Sequence, residues 1–147
     1  DAIHTLFNQG DRTVDWYVDY KGNQGKTWLA KYLIAKYNAM YVQGGKMNDI
    51  AYAYQYHPVV VFDFTRDKQD IVNYSVIESF KNGLIFSGKY ESVTKQFDPC
   101  KVICFSNWDP DESKLSEDRW NIKYLSDTKT PLFQQLNSDG FLFPEDC

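Results

Sequence analysis

The run Gly22-Asn23-Gln24-Gly25-Lys26-Thr27 carries the most specific chemistry in this chain. Glycine-rich backbone between a strand and a helix turns several N–H groups towards one point, at the positive end of the helix dipole, where phosphate binds. Lys26 would reach the terminal phosphates, the Thr27 hydroxyl would take a place on Mg²⁺, and Trp28 would open the helix beside them. The full pattern asks for one more glycine, at the position this chain gives to Tyr20. The flanks fit on both sides. A strand-like run, Val14-Asp15-Trp16-Tyr17-Val18, precedes the loop, and a helical run follows over 28–35.

Three further positions could serve the same phosphate. Val59-Val60-Val61-Phe62-Asp63 is a continuous apolar run ending in an acid, as expected of a central parallel strand buried on both faces. An acid at such a strand end is costly unless it meets a cation, and Mg²⁺ is the one a phosphate loop supplies. The plain alternative is an Asp that starts the next turn. Lys101-Val102-Ile103-Cys104-Phe105-Ser106-Asn107 reads as a second buried strand, ending in an amide that could hold a water near a γ-phosphate or simply lead into the turn at Asp109-Pro110. Ser116 could cap a short turn containing Glu117, Asp118 and Arg119. There Arg119 is either a charge for a nucleotide or half of a weak surface ion pair.

The remaining pattern supplies the scaffold. A short strand over 39–42 ends at Gly44-Gly45. Asn48 could cap a helix over 49–56 that stops before Pro58, with Tyr52, Tyr54 and Tyr56 as packing residues. Apolar spacing predicts a helix over 71–81, closed by Asn82-Gly83 in the left-handed cap position. Leu84-Ile85-Phe86 is a short strand leading to Ser87-Gly88-Lys89-Tyr90, a turn with a cation beside an aromatic. Such a pair can grip a phosphate and stack on a base, and it is also an ordinary hairpin tip. A last strand is expected over 121–125. His4 is given no role.

At 147 residues the chain suits a single core, and 11 Tyr and 10 Phe provide ample apolar surface. A net charge of −4 argues against a generally basic nucleic-acid coat and leaves room for a small basic track. The 3 cysteines, Cys100, Cys104 and Cys147, lack metal-ligand spacing and suggest core thiols in a reducing compartment. No apolar run approaches the length of a membrane span. The absence of an initial methionine suggests a fragment of a longer protein.

Together these stretches resemble the superfamily 3 helicase domain of replication-associated (Rep) proteins from viruses with small circular single-stranded DNA genomes. Walker A corresponds to residues 22–30, Walker B to 59–66, motif B′ to 78–92, motif C to 102–107 and the arginine-finger segment to 115–120. The resemblance implies a three-layer α/β P-loop core with a central parallel sheet. It spans residues 14–125, after the end of a linker or oligomerisation segment over 1–13 and before a tail over 126–147. ATP and Mg²⁺ would be held by Gly22, Asn23, Gln24, Gly25, Lys26, Thr27, Trp28 and Asp63. Asn107 would sense the γ-phosphate, and Arg119 would reach the nucleotide of a neighbouring subunit in a ring, commonly a hexamer. Lys89 and Tyr90, with Lys81 or Lys95, would face single-stranded DNA in the pore, and the protein would work in the host nucleus. Many relatives place a second acid after the Walker B aspartate as the base for water. Here Phe64 stands in that place, leaving Glu78, Asp67 or Asp63 as substitutes and slow hydrolysis as an expectation. Two other readings share the loop: an assembly module that binds nucleotide with little turnover, and a small-molecule kinase. Against the kinase, the chain offers only Arg12, Arg66 and Arg119 for a phosphate-gripping lid.

Overall fold

Unbroken apolar stretches become strands here because both faces of one sheet are covered. The computed structural model describes residues 2–21, 25–64 and 72–125. Its chain order is α1 (Ala2–Phe7), β1 (Val14–Val18), α2 (Lys26–Tyr37), β2 (Met40–Val42), α3 (Met47–Ala53), β3 (Val59–Asp63), α4 (Tyr74–Asn82), β4 (Leu84–Ser87), β5 (Val93–Gln96), β6 (Lys101–Ser106) and β7 (Trp120–Tyr124). Five strands form a parallel sheet in the order β2-β3-β6-β1-β7, and β4 and β5 form a separate antiparallel hairpin.

Side chains alternate across each strand. Val14, Trp16, Val18, Val60, Phe62, Val102 and Cys104 point to one face, where Ile50 and Ala51 of α3 and Val76, Ile77 and Phe80 of α4 cover them. Tyr17, Val59, Val61, Ile103 and Phe105 point to the other, under Ile3 and Leu6 of α1 and Leu29, Ala30 and Leu33 of α2. The result is the three-layer α/β architecture the sequence implies. Among the described residues, no helix is long and apolar enough to cross a membrane.

Several local expectations shift. The short N-terminal helix α1 packs into the core. The Gln9 side chain behind it pairs with both backbone groups of Val102, donating to the carbonyl at 2.8 Å and accepting from the N–H at 2.9 Å. The cap of α3 falls at Lys46, and Asn48 instead accepts from the Gly88 N–H at 3.1 Å, tying the hairpin to the helix. Helix α4 starts at Tyr74 and is capped by Gly83, whose φ of 73° and carbonyl neighbour leave no room for a side chain. A Cβ there would stand 2.2 Å from the Phe97 carbonyl oxygen. Strand β5 was not legible, because Val93-Thr94-Lys95-Gln96 lacks clear alternation. Cys100 and Cys104 are free and buried, and burial pushes both thiols up, as suits packing groups. The tail over 126–147, with Cys147, lies outside the described residues, as do Gly22, Asn23, Gln24, Arg66 and Asp67.

Candidate functional site

The parallel sheet sends its strand ends to one edge, and the crevice outside the carboxyl ends of such strands is where α/β folds bind ligands. Val18, the last residue of β1, lies beside Ser106, the last of β6. Asp63, the last of β3, lies beside Phe105. Asp19, Asp63 and Asn107 therefore emerge along one edge, with β6 and its amide between the strand that leads into the loop and the strand that carries the acid. Helix α2 begins there too. Its N-cap, Gly25, has a left-handed φ of 87°, and its first turn contains no acid to occupy the helix N-terminus.

Lys26 is the centre of this edge. Its Nζ donates to Asn107 Oδ1 at 3.2 Å and lies 3.5 Å from Asp19 Oδ2. Asp19 is fully buried, and its backbone N–H is fixed on the Ser106 carbonyl at 2.9 Å. Thr27, one residue into the helix, is exposed. Tyr20, in place of a pattern glycine, directs its hydroxyl to the Asp109 carboxylate and stacks its ring on Tyr124 with centroids 6.0 Å apart.

Alternation along β3 sends Asp63 to the side of Val59 and Val61, which is the α2 side. The Tyr41 hydroxyl donates to Asp63 Oδ2 at 2.5 Å, and Gln43 Nε2 donates to that hydroxyl at 3.3 Å. Phe64 turns the other way. It is buried against Phe62 and Trp16, with ring centroids 5.7 and 5.5 Å away, as part of the aromatic core. The residue types fit a Mg-nucleotide. Thr27 and Asp63 offer the hydroxyl and the carboxylate that suit a hard cation taking its other ligands from phosphate and water, and Lys26 offers the cation for the phosphates.

Comparison with known proteins gives the family. The family model described as RNA helicase matches residues 16–108, from β1 to just beyond Asn107. The chain belongs to the RNA helicase family. It is a superfamily 3 helicase domain of the replication-associated kind. It is 44% identical over 120 residues to the Master replication protein of milk vetch dwarf virus (isolate N), a match covering 81% of this chain and 42% of that protein. It is 46% identical over 118 residues to the Master replication protein of faba bean necrotic yellows virus (isolate Syrian SV292-88), covering 80% and 41%. The chain thus spans about two fifths of the length of these curated relatives. The apo structure of the NrS-1 C-terminal region superposes with a TM-score of 0.52 at 12% identity, covering 84% of this chain and 32% of that one, a likeness of fold.

Three residues expected at this helicase domain's working surfaces are committed to its interior instead. Arg119 precedes β7, at the opposite edge of the sheet from Lys26. It is 2% exposed, donates to Asn82 Oδ1 at 2.8 Å and to the Arg12 carbonyl at 3.4 Å, and lies 3.7 Å from Glu78 Oε1. A guanidinium enclosed by its own chain does not reach across to a neighbour, and Glu78 beside it is equally remote from the water that a base would activate. Asp118, one of the surface partners expected for Arg119, is held by Arg12 at 2.6 Å.

Lys81 is 2% exposed and donates to Gln9 Oε1 at 2.7 Å, Cys100 O at 2.8 Å and Gly10 O at 3.2 Å. Burial, with the Lys101 charge adding to it, lowers its ammonium to about 8. Lys95 donates to Ala51 O at 2.8 Å, Tyr52 O at 3.2 Å and Tyr54 O at 2.5 Å. It closes the C-terminus of α3, whose last carbonyls have no partners within the helix. Neither ammonium is offered to a nucleic acid. Of the expected track, the pair at the hairpin tip remains at the surface. Tyr90 is 78% exposed, with Lys89 Nζ 5.6 Å from its ring and 6.0 Å from that of Tyr52. Lys89 also pairs with Asp49 at 2.7 Å, which raises the lysine and lowers the acid.

Sequence reasoning missed Asp19 and Tyr41. The signal for Asp19 was present: like Asp63, it is an acid at the end of a buried strand, and the same need for a cation applied. Tyr41 gave no signal, because its hydroxyl meets Asp63 through the pairing of β2 with β3.

Proposed function

We propose that this domain is the ATP-driven motor of a viral replication initiator. It hydrolyses ATP at the subunit boundaries of a homo-oligomeric ring and moves on single-stranded DNA. The observation that carries the reading is the convergence of Lys26 with Asn107 at 3.2 Å, on the sheet edge where Asp63 ends β3. Phosphoryl transfer needs positioning and charge neutralisation more than covalent chemistry. Lys26 would hold the terminal phosphates, aided by the N–H groups of the loop from Gly22 to Gly25 and of the α2 N-terminus. Thr27 and Asp63 would hold Mg²⁺, which when bound neutralises charge on the terminal phosphates. Tyr41 would keep the Asp63 carboxylate turned to that place, and Asn107 would hold the attacking water and register the γ-phosphate. On the hairpin, a cation flanked by two tyrosine rings suits a single strand, with Lys89 on phosphate and Tyr90 stacked on a base.

The burial of Phe64 favours a second reading, a nucleotide-dependent assembly module with little turnover, because no carboxylate follows Asp63 to activate water. A kinase is disfavoured, since Arg12 and Arg119 are both engaged within the fold.

One experiment separates them: ATP turnover with and without single-stranded DNA or RNA, together with particle mass with and without nucleotide. Turnover raised by single-stranded DNA in an assembled particle supports the motor. Assembly on ATP without turnover supports the module. Absence of any ATP binding would remove both.

A further inference from the structure

We propose that Asp19 is an internal counter-ion that competes with phosphate for Lys26, keeping the lysine aligned in the nucleotide-free chain and holding nucleotide affinity down. The inference rests on the nucleotide reading of this site. It starts from an anomaly of charge. A site built for a polyanion contains a fully buried carboxylate within 3.5 Å of the cation meant for that polyanion.

Asp19 cannot easily withdraw. It directly follows β1, and its N–H is locked on the Ser106 carbonyl at 2.9 Å, so its backbone is an extension of the sheet. A carboxylate removed from water needs a cation, and Lys26, itself only 11% exposed at its side chain, supplies one. The Lys26 ammonium has three N–H donors, and Asp19 and Asn107 take it from two sides. An incoming phosphate therefore meets a lysine already engaged. It also comes within a few ångströms of a fixed negative charge, in surroundings where charges are weakly screened. Asp63 differs: it ends β3 on the same edge and accepts from the neutral Tyr41 hydroxyl. One acid of the edge attracts the metal, and the other restrains the lysine.

The test is calorimetric titration of Mg-ATP and Mg-ADP into the whole chain, its Asp19→Asn and Lys26→Met variants, and the double variant. Asp19→Asn should tighten Mg-ATP binding about tenfold, roughly the worth of one hydrogen bond to a charged group. That gain should vanish when Lys26 is already methionine. A purely structural Asp19 would give no gain. A folded Asp19→Asn chain that binds Mg-ATP no more tightly than the parent overturns the inference, and so does a gain that persists without Lys26. If Asp19→Asn does not fold, Lys26→Met decides alone. It removes the cation 3.5 Å from the buried carboxylate and should lower the melting temperature, and an unchanged melt overturns the pairing. If neither the parent nor Asp19→Asn binds either nucleotide, the nucleotide reading itself falls, an outcome distinct from a parent that binds and a variant that does not improve on it.

Discussion

Lys26 and Lys81 are both withdrawn from water at opposite edges of one sheet, and the two edges use their lysine differently. At the edge where the parallel strands end, Lys26 meets a carboxylate and an amide side chain. At the edge where β1 and β7 begin, Lys81 meets two backbone carbonyls and an amide oxygen, and Arg119 meets an amide, a carbonyl and a glutamate. Backbone carbonyls cannot move without moving the chain, so their lysine is a fastener. Side-chain partners can be exchanged for a ligand, and the proposed function uses theirs in that way. Lys89 at the hairpin tip is a third case, a half-exposed cation held by a surface pair that water and salt weaken.

Substitutions can break this contrast. The largest effect is expected at Lys26: Lys26→Ala should weaken Mg-ATP binding about a hundredfold or more, the scale of losing a preorganised charged donor, as read by nucleotide titration. Arg119→Ala should destabilise the chain by about 3 kcal/mol in urea, because it leaves Asn82 and the Arg12 carbonyl without their donor. A variant that folds as well as the parent and loses turnover alone would restore Arg119 to a role in trans.

Lys81→Met should cost about 2–3 kcal/mol, for the carbonyls it strands, and should leave the salt dependence of DNA binding unchanged. Its pH profile adds a sign. The folded chain releases the Lys81 proton near 8, while the unfolded chain keeps it to 10.5. Between those values the unfolded state binds more protons, so stability rises with pH and is lost again as the pH falls through 8. The parent should therefore gain on Lys81→Met across that window, in parallel urea titrations. Lys95→Ala should cost about 1–2 kcal/mol, by opening the C-terminus of α3. The smallest effect on the fold is expected at the tip. Lys89→Ala should leave the melting temperature unchanged and reduce the salt slope of single-strand binding by about one, and Asp49→Asn should tighten that binding by freeing the lysine.

The strands that frame the site were legible from composition alone. Val14–Val18 and Val59–Asp63 have the bounds their runs suggested, because a strand covered on both faces is apolar at nearly every position, the buried Asp15 of β1 being met by the Asn121 amide at 2.9 Å. Asp63 and Asn107 were legible as polar residues closing such runs, and Gly83 as the residue that ends α4. The lysines were not. A long aliphatic stem with a charged head reads the same whether the head reaches water or a cage of carbonyls. The B′ stretch runs from the α4 interior to the hairpin tip, so Lys81 and Lys89 are close in sequence and far apart in exposure.

The sequence by itself determined the strand and helix on either side of the glycine-rich run, the order of the strands and the three-layer sheet, since these depend on local backbone needs and on which residues shun water. Only the tertiary structure decided which charges are free to work. Strand pairing set Asp19 against Lys26 and Tyr41 against Asp63, and it enclosed Arg119, Lys81 and Lys95 among groups distant in the chain. A charge's role depends on what surrounds it after folding, and those surroundings come from segments that the local sequence does not contain.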